Sequence, residues 1–181
     1  MRGWTLAAFL GALFTFRLHN PAHLQWVFLI LITAGMALRL WAGAYLGVHG
    51  NASETQAPRL QRGGPYRFSR NPLYLANLLV GTALILFANV GMGLALTLIL
   101  VLVIHHILLV MWEEKNLRTI WRDQYASYVR NTPRWIGWSR SEKSEEGKNP
   151  SQWNKVWTWQ GRNLAYTVLS ALLIWGASLW K

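Results

Sequence analysis

The chain contains no cysteine, and its 7 acidic residues are outnumbered by 18 lysines and arginines. The first absence excludes a disulfide framework, a thiolate nucleophile and any cysteine-based metal site, and leaves the redox compartment open. No Gly-x-Gly-x-x-Gly turn follows a strand, and no segment reads as a strand, which excludes a soluble Rossmann-type cofactor fold. His105 and His106 have no histidine or carboxylate four residues away to complete a helical metal site, so the expected metal ligands are none. No internal repeat is found.

What is present is apolar surface and indole. Of 181 residues 52% are hydrophobic and 12 are tryptophan, the composition of a membrane protein. Crossing a bilayer takes roughly 20 apolar residues, and five runs are measured against that length: 4–18, 25–47, 73–88, 90–111 and 164–180. They predict an all-α integral membrane protein of about five transmembrane helices. The first run shows no small-x-small cleavage site and is expected to persist as a mature helix. Trp4, Trp26, Trp41, Trp112, Trp159 and Trp180 lie near the run ends, where an amphipathic indole prefers the headgroup zone.

The formal charge of +11 is concentrated in loops beside apolar runs, which favours an anionic lipid surface over nucleic acid. The 48–72 loop carries Arg59, Arg62, Arg67 and Arg70, and the stretch 112–163 is also strongly basic, whereas the link around Asn20-Pro21 has only Arg17 beside it. The positive-inside rule then puts both basic stretches on the cytoplasmic side, with the N-terminus in and the C-terminus out. Between the third and fourth runs stands only "ANVG", which forces an antiparallel helical hairpin. The segment 139–155 has no apolar period and reads as a flexible linker.

Two stretches carry chemistry. In "GGPYRFSRNPLY", Gly63-Gly64-Pro65 is turn chemistry, and Asn71-Pro72 is the pairing expected of a helix cap with proline in the first turn. Arg67 and Arg70 stand beside that helix start, which suits a carboxylate or phosphate, although capping and the charge rule alone account for the same residues. The second stretch, "HHILLVMWEEKNLRTIWRDQYASYVRNTPRW", places Glu113 and Glu114 directly after an apolar span and then continues as an interfacial amphipathic helix with Leu117, Ile120, Trp121, Tyr125 and Tyr128 at helical spacing. Adjacent helical residues diverge, so at most one of the two glutamates is expected to face Arg70.

Together these stretches resemble the isoprenylcysteine carboxyl methyltransferase family and its bacterial relatives, which are also similar to phospholipid N-methyltransferases. The pattern falls on Gly64, Tyr66, Arg70, Pro72, Tyr74, Glu113, Glu114, Leu117, Tyr125, Tyr128 and Pro133. One position departs: Asn71 stands where the family has histidine, and an asparagine cannot titrate near neutrality. The resemblance implies a membrane methyltransferase using S-adenosylmethionine, acting on a lipophilic acceptor from the lipid phase. It implies a bacterial inner-membrane location with the site toward the cytoplasm. The residues expected to hold the cofactor are Tyr66, Arg70, Asn71, Pro72, Tyr74, Glu113, Glu114, Tyr125 and Tyr128. Those expected to act in catalysis are Arg70, Glu113 and Arg39.

Arg39 lies inside the second run, where a charge is costly enough to suggest a role, either binding a substrate carboxylate or pairing with a glutamate; snorkelling to the interface is the alternative. Structural hydrogen bonding is expected of the histidines, and close helix packing of Gly81, Gly91, Gly93 and Ala95. The chain divides into N-terminal helices over 1–48, a methyltransferase core over 49–137, a polar linker over 138–163 and a C-terminal helix over 164–181. Competing readings are a non-catalytic membrane scaffold and an oxidoreductase resembling sterol reductases. The oligomeric state and the acceptor are open.

Overall fold

A computed structural model describes residues 22–46, 60–137 and 153–179. The apolar run 4–18, the first part of the 48–72 loop and the stretch 138–152 lie outside these residues. Within them the elements are α1 (Ala22–Leu46), a short 3-10 turn (Gly64–Arg67), α2 (Pro72–Phe87), α3 (Met92–Asn131) and α4 (Trp153–Leu179). The described residues contain no strand-length extended element.

α2 is the centre of the bundle. Its Val80, Ala83, Leu84, Ile85 and Phe87 meet Ile32 and Met36 of α1, Ala95 and Leu102 of α3, and Ile174 of α4 in one buried cluster. The α2–α3 hairpin turns through Ala88–Gly91 as the short "ANVG" link requires. Asn89 adopts φ 48°, a left-handed conformation that asparagine tolerates better than most residues. Close packing of the hairpin depends on Gly81, where a Cβ would stand 2.7 Å from a Leu102 methyl. Gly93 differs from expectation: a Cβ there would meet nothing within 4 Å, so it makes no close helix contact.

The second and fourth apolar runs become Trp26–Leu46 of α1 and α3, and these two are long and apolar enough to cross a membrane. α2 is apolar throughout but only 16 residues long. α4 starts at Trp153, inside the segment expected to be linker, because Trp153, Val156, Trp157 and Gln160 already follow a helical period. It docks on α1 and α2, with Val156 and Gln160 fully buried. Leu96, Leu100, Val101, Leu108 and Met111 of α3 point outward and are more than half exposed, an apolar surface expected of a lipid-facing wall.

α3 also corrects the expected boundary between a fourth span and a separate amphipathic helix. Residues 92–121 run unbroken, about 45 Å at 1.5 Å per residue, which is longer than a bilayer's hydrocarbon core. The uninterrupted apolar run ends near Trp112, and the same helix carries on through the more polar turns after it. The interruption comes later, at Arg122, whose φ of 37° and ψ of −113° are not helical. Beyond it Tyr125 and Tyr128 fold onto Leu60, with Leu117, Trp121 and Val129 around them.

Candidate functional site

The start of α2 and the polar continuation of α3 meet at one end of the bundle, and the turn between Gln61 and Asn71 lies across them. Gln61 shapes this turn by accepting hydrogen bonds from the backbone N–H of Arg62 and Gly63, each at 2.9 Å, while its amide donates to the Tyr45 carbonyl. Gly64 takes φ +54° with the Tyr45 ring against it, and a Cβ would lie 2.6 Å from that ring. Only glycine fits both constraints. The turn drives Tyr66 inward: the backbone oxygen of Tyr66 accepts the Tyr128 hydroxyl at 2.7 Å, while its own buried hydroxyl has no partner. Burial pushes the Tyr66 phenol well above its usual range, so it remains a hydrogen-bond donor.

Glu114 is 3% exposed and fully engaged by the protein itself. Arg134 grips it with two N–H groups, Nε to Oε1 at 3.2 Å and Nη2 to Oε2 at 2.8 Å. Asn71 Nδ2 donates to Oε1 at 3.2 Å, and Arg70 Nη2 lies 3.5 Å from the same oxygen. The Glu114 carboxylate in turn holds the Arg134 guanidinium above its ordinary pKa. The segment carrying Arg134 is laced to the turn: Arg70 N–H to the Pro133 carbonyl at 3.0 Å, Gly137 N–H to that of Phe68 at 3.0 Å, and the Ser69 hydroxyl to that of Arg134 at 3.3 Å.

This arrangement changes the expected part of Asn71. It precedes Pro72, but its side chain makes no capping bond to the helix. Its Nδ2 instead serves two acceptors, Glu114 Oε1 and, at 3.2 Å, the Arg134 carbonyl, which only the amide nitrogen can do. The position needs a donor, and a non-titrating asparagine meets that need where the resembled family has histidine.

Glu113 points elsewhere, as neighbouring helical residues must. It is half-buried, with the Tyr74 side chain of α2 in its electrostatic neighbourhood. His106 packs edge-on behind Tyr74, ring centroids 6.0 Å apart, and its Nδ1 lies 2.8 Å from the Leu102 carbonyl; it belongs to the packing of the helix. Arg39 neither pairs with a glutamate nor reaches water freely: its Nη1 donates to Asn77 Oδ1 of α2, and its buried Nε has no partner. Arg70 likewise keeps two buried donors without partners, Nε and Nη1, and the Tyr125 hydroxyl is a third. Among the described residues no three histidine, aspartate or glutamate side chains come together as a metal site.

The structure thus brings Tyr66, Arg70, Asn71, Pro72, Tyr74, Glu113, Glu114, Tyr125 and Tyr128 to one end of the bundle, with Arg39 deeper between α1 and α2. Arg134 and Asn77 were not anticipated from the sequence. Asn77 had a readable signal, a lone amide in an apolar run at a depth similar to that of Arg39, where each polar group needs a partner. Arg134 had only its place after Pro133.

These features define a helical membrane protein whose ionisable groups are collected where two helices of a hairpin leave the apolar zone. A family model described as phospholipid methyltransferase matches residues 24–124, more than half of the chain, from α1 to just past the break in α3. The chain belongs to that family of membrane methyltransferases. No curated protein and no solved structure gives a match.

Proposed function

We propose that the chain is a methyltransferase using S-adenosylmethionine to methylate a lipophilic acceptor, with its site on the cytoplasmic side of a bacterial inner membrane. The observation that carries this reading is the set of buried donors left over at the α2 entrance: Arg70 Nε and Nη1 and the Tyr125 hydroxyl. A buried donor without a partner costs about 1–3 kcal/mol, more when charged, so three of them in one electrostatic neighbourhood suit an anionic acceptor such as the cofactor's carboxylate. Glu113 is the remaining acid, because Glu114 is consumed by Arg134, Asn71 and Arg70. Half-buried beside the start of α2, it suits the cofactor's ammonium. Tyr66 and Tyr128 supply aromatic faces for adenine or sulfonium.

When bound, S-adenosylmethionine supplies a methyl group already activated on a positively charged sulfur. The protein's share is then alignment and exclusion of water, for which no metal or titrating histidine is required. Arg70 is oriented for this by Glu114, which takes one guanidinium nitrogen and leaves the other two for ligand. In this assignment Glu114, Asn71 and Pro72 are positioning residues, while Arg70, Glu113, Tyr66, Tyr74, Tyr125 and Tyr128 touch the cofactor. Five spans, counting the runs 4–18 and 164–180, would place these groups on the cytoplasmic face by the charge rule.

Calorimetric titration of the detergent-solubilised protein with S-adenosylmethionine tests the assignment. Saturable binding that falls in both Arg70→Ala and Glu113→Ala is expected; unchanged affinity in both variants would refute it.

A further inference from the structure

The break in α3 has no cause in the local sequence. Sharp kinks in helices come from proline, from glycine or from a group inserted into the backbone ladder, and the residues from Trp112 to Asn131 include neither proline nor glycine. Arg122 nevertheless stands at φ 37° and ψ −113°. These angles lie near the first central position of a type II′ turn, a seat that glycine fills because a Cβ is crowded there. Two non-glycine residues among those described have positive φ, and whereas Asn89 belongs to a type that tolerates it, arginine does not. The Arg122 side chain is exposed and belongs to neither ion pair, so it offers no compensation of its own.

Compensation comes from beyond the break. The Gln124 carbonyl accepts the Arg62 guanidinium at 2.8 Å, the Tyr128 hydroxyl reaches the Tyr66 carbonyl at 2.7 Å, and Tyr125 and Tyr128 are buried against Leu60. All of these tie the chain after Arg122 to the segment that precedes α2. A straight α3 would instead carry Tyr128 about 10 Å past Trp121 along the axis of the span. The strained residue is held by the contacts that it makes possible, the situation in which unfavourable backbone geometry persists at a binding site. Tyr125 is 1% exposed and its hydroxyl has no partner, so the break delivers an unused donor along with the two rings.

We propose that Arg122 is a positioning residue acting through its backbone, a glycine-type turn occupied by arginine, and that it sets the Tyr125 hydroxyl and the Tyr128 ring in place for the cofactor. The proposal rests on the methyltransferase reading for the word cofactor, but the turn is measurable without any ligand. α3 then has two shapes to choose between. The straight one relieves Arg122 and gives up the tyrosine contacts, and the broken one presents them. A ligand that touches Tyr125 and Tyr128 binds the broken shape alone, so its apparent affinity follows the share of molecules that hold the turn.

Substitutions at Arg122 decide this, because the two shapes place glycine at opposite ends of the order. In a helix alanine is the best of alanine, valine and glycine, and glycine the worst; at this positive φ glycine is the best and valine, branched at Cβ, the worst. In detergent R122G should melt about 2–4 °C above R122A, and R122V below both. R122G melting below R122A would mean a continuous helix and overturn the turn.

Calorimetric titration of the same samples with S-adenosylmethionine reads the positioning. R122G should bind at least as tightly as the wild type, and R122V roughly tenfold more weakly. A turn that served the fold alone would shift melting and leave the affinity of the folded protein in place, so equal affinity in R122G, R122A and R122V overturns the positioning role. If R122V does not fold, R122A takes its place and should bind more weakly than R122G; equality of those two overturns the role as well. A wild-type protein that binds no S-adenosylmethionine would end the methyltransferase reading and the positioning role with it, while the melting order would still decide the turn.

Discussion

Glu113 and Glu114 are consecutive residues on one helix, yet they stand in opposite kinds of environment. Around Glu114 the hydrogen-bond account is closed: two arginines and an asparagine satisfy both oxygens, and the segment after α3 is tied down as a result. On the Glu113 side the account is open, with Tyr74 in the acid's electrostatic neighbourhood and buried donors of Tyr66, Arg39 and Arg70 unmatched. The closed region holds the turn, the hairpin and the segment after α3 in register. The open region is where a charged ligand would find unmatched donors. A helix can serve both purposes with adjacent residues because they diverge by about 100°.

The contrast is most severely tested at Glu114. Glu114→Ala leaves Arg70 buried without its counter-charge and frees the 132–137 segment, and loss of one partner from a buried pair typically costs about 3–5 kcal/mol. A large fall in melting temperature in detergent is expected. Glu113→Ala should lower the melting point far less, within about 1 kcal/mol, while impairing cofactor binding. Equal destabilisation by the two changes would erase the distinction.

Arg70→Ala bears on the open side. Removing charge-assisted hydrogen bonds worth about 1.5–3 kcal/mol should weaken S-adenosylmethionine binding by roughly ten- to a hundredfold in calorimetry. Tyr74→Phe takes away a hydroxyl in the electrostatic neighbourhood of Glu113 and should cost about 1 kcal/mol of the same affinity, with a melting point close to wild type. The smallest effect is expected from Asn71→His, which reinstates the residue of the resembled family. Because the position requires a donor and not a base, stability should change by no more than about 1 kcal/mol. A marked change in the pH dependence of binding would show that the imidazole titrates in contact with ligand.

The sequence made the open side easier to read than the closed one. Arginine beside a helix start, acids after an apolar run and tyrosines at helical spacing are local patterns, and they come together as their spacing suggests. Which glutamate does what was not local: it depends on Arg134, twenty residues beyond Glu114, returning under the turn. The apparent cap at Asn71 misled for the same reason, since a distant carboxylate competes successfully for its amide. The helix boundaries followed the apolar periods in α1, α2 and the first half of α3. The continuation of α3 past Glu113 followed the helical spacing of Leu117, Ile120 and Trp121, whereas the early start of α4 did not follow its apolar run, because the residues around Trp153 are too polar to extend that run.

α2 is the shortest of the four helices, and its 16 residues extend only about 24 Å, less than the roughly 30 Å of an average hydrocarbon layer. Were α2 to cross a bilayer with its Arg70 end at the water boundary, the Asn89 turn would stop short of the far headgroups. The surrounding lipid would then thin by several ångströms or allow water to dimple inward to meet it. Acyl-chain length would thereby be an input to this protein: thicker bilayers would drag on the hairpin and so on the register between its two ends, whereas thinner ones would leave it relaxed.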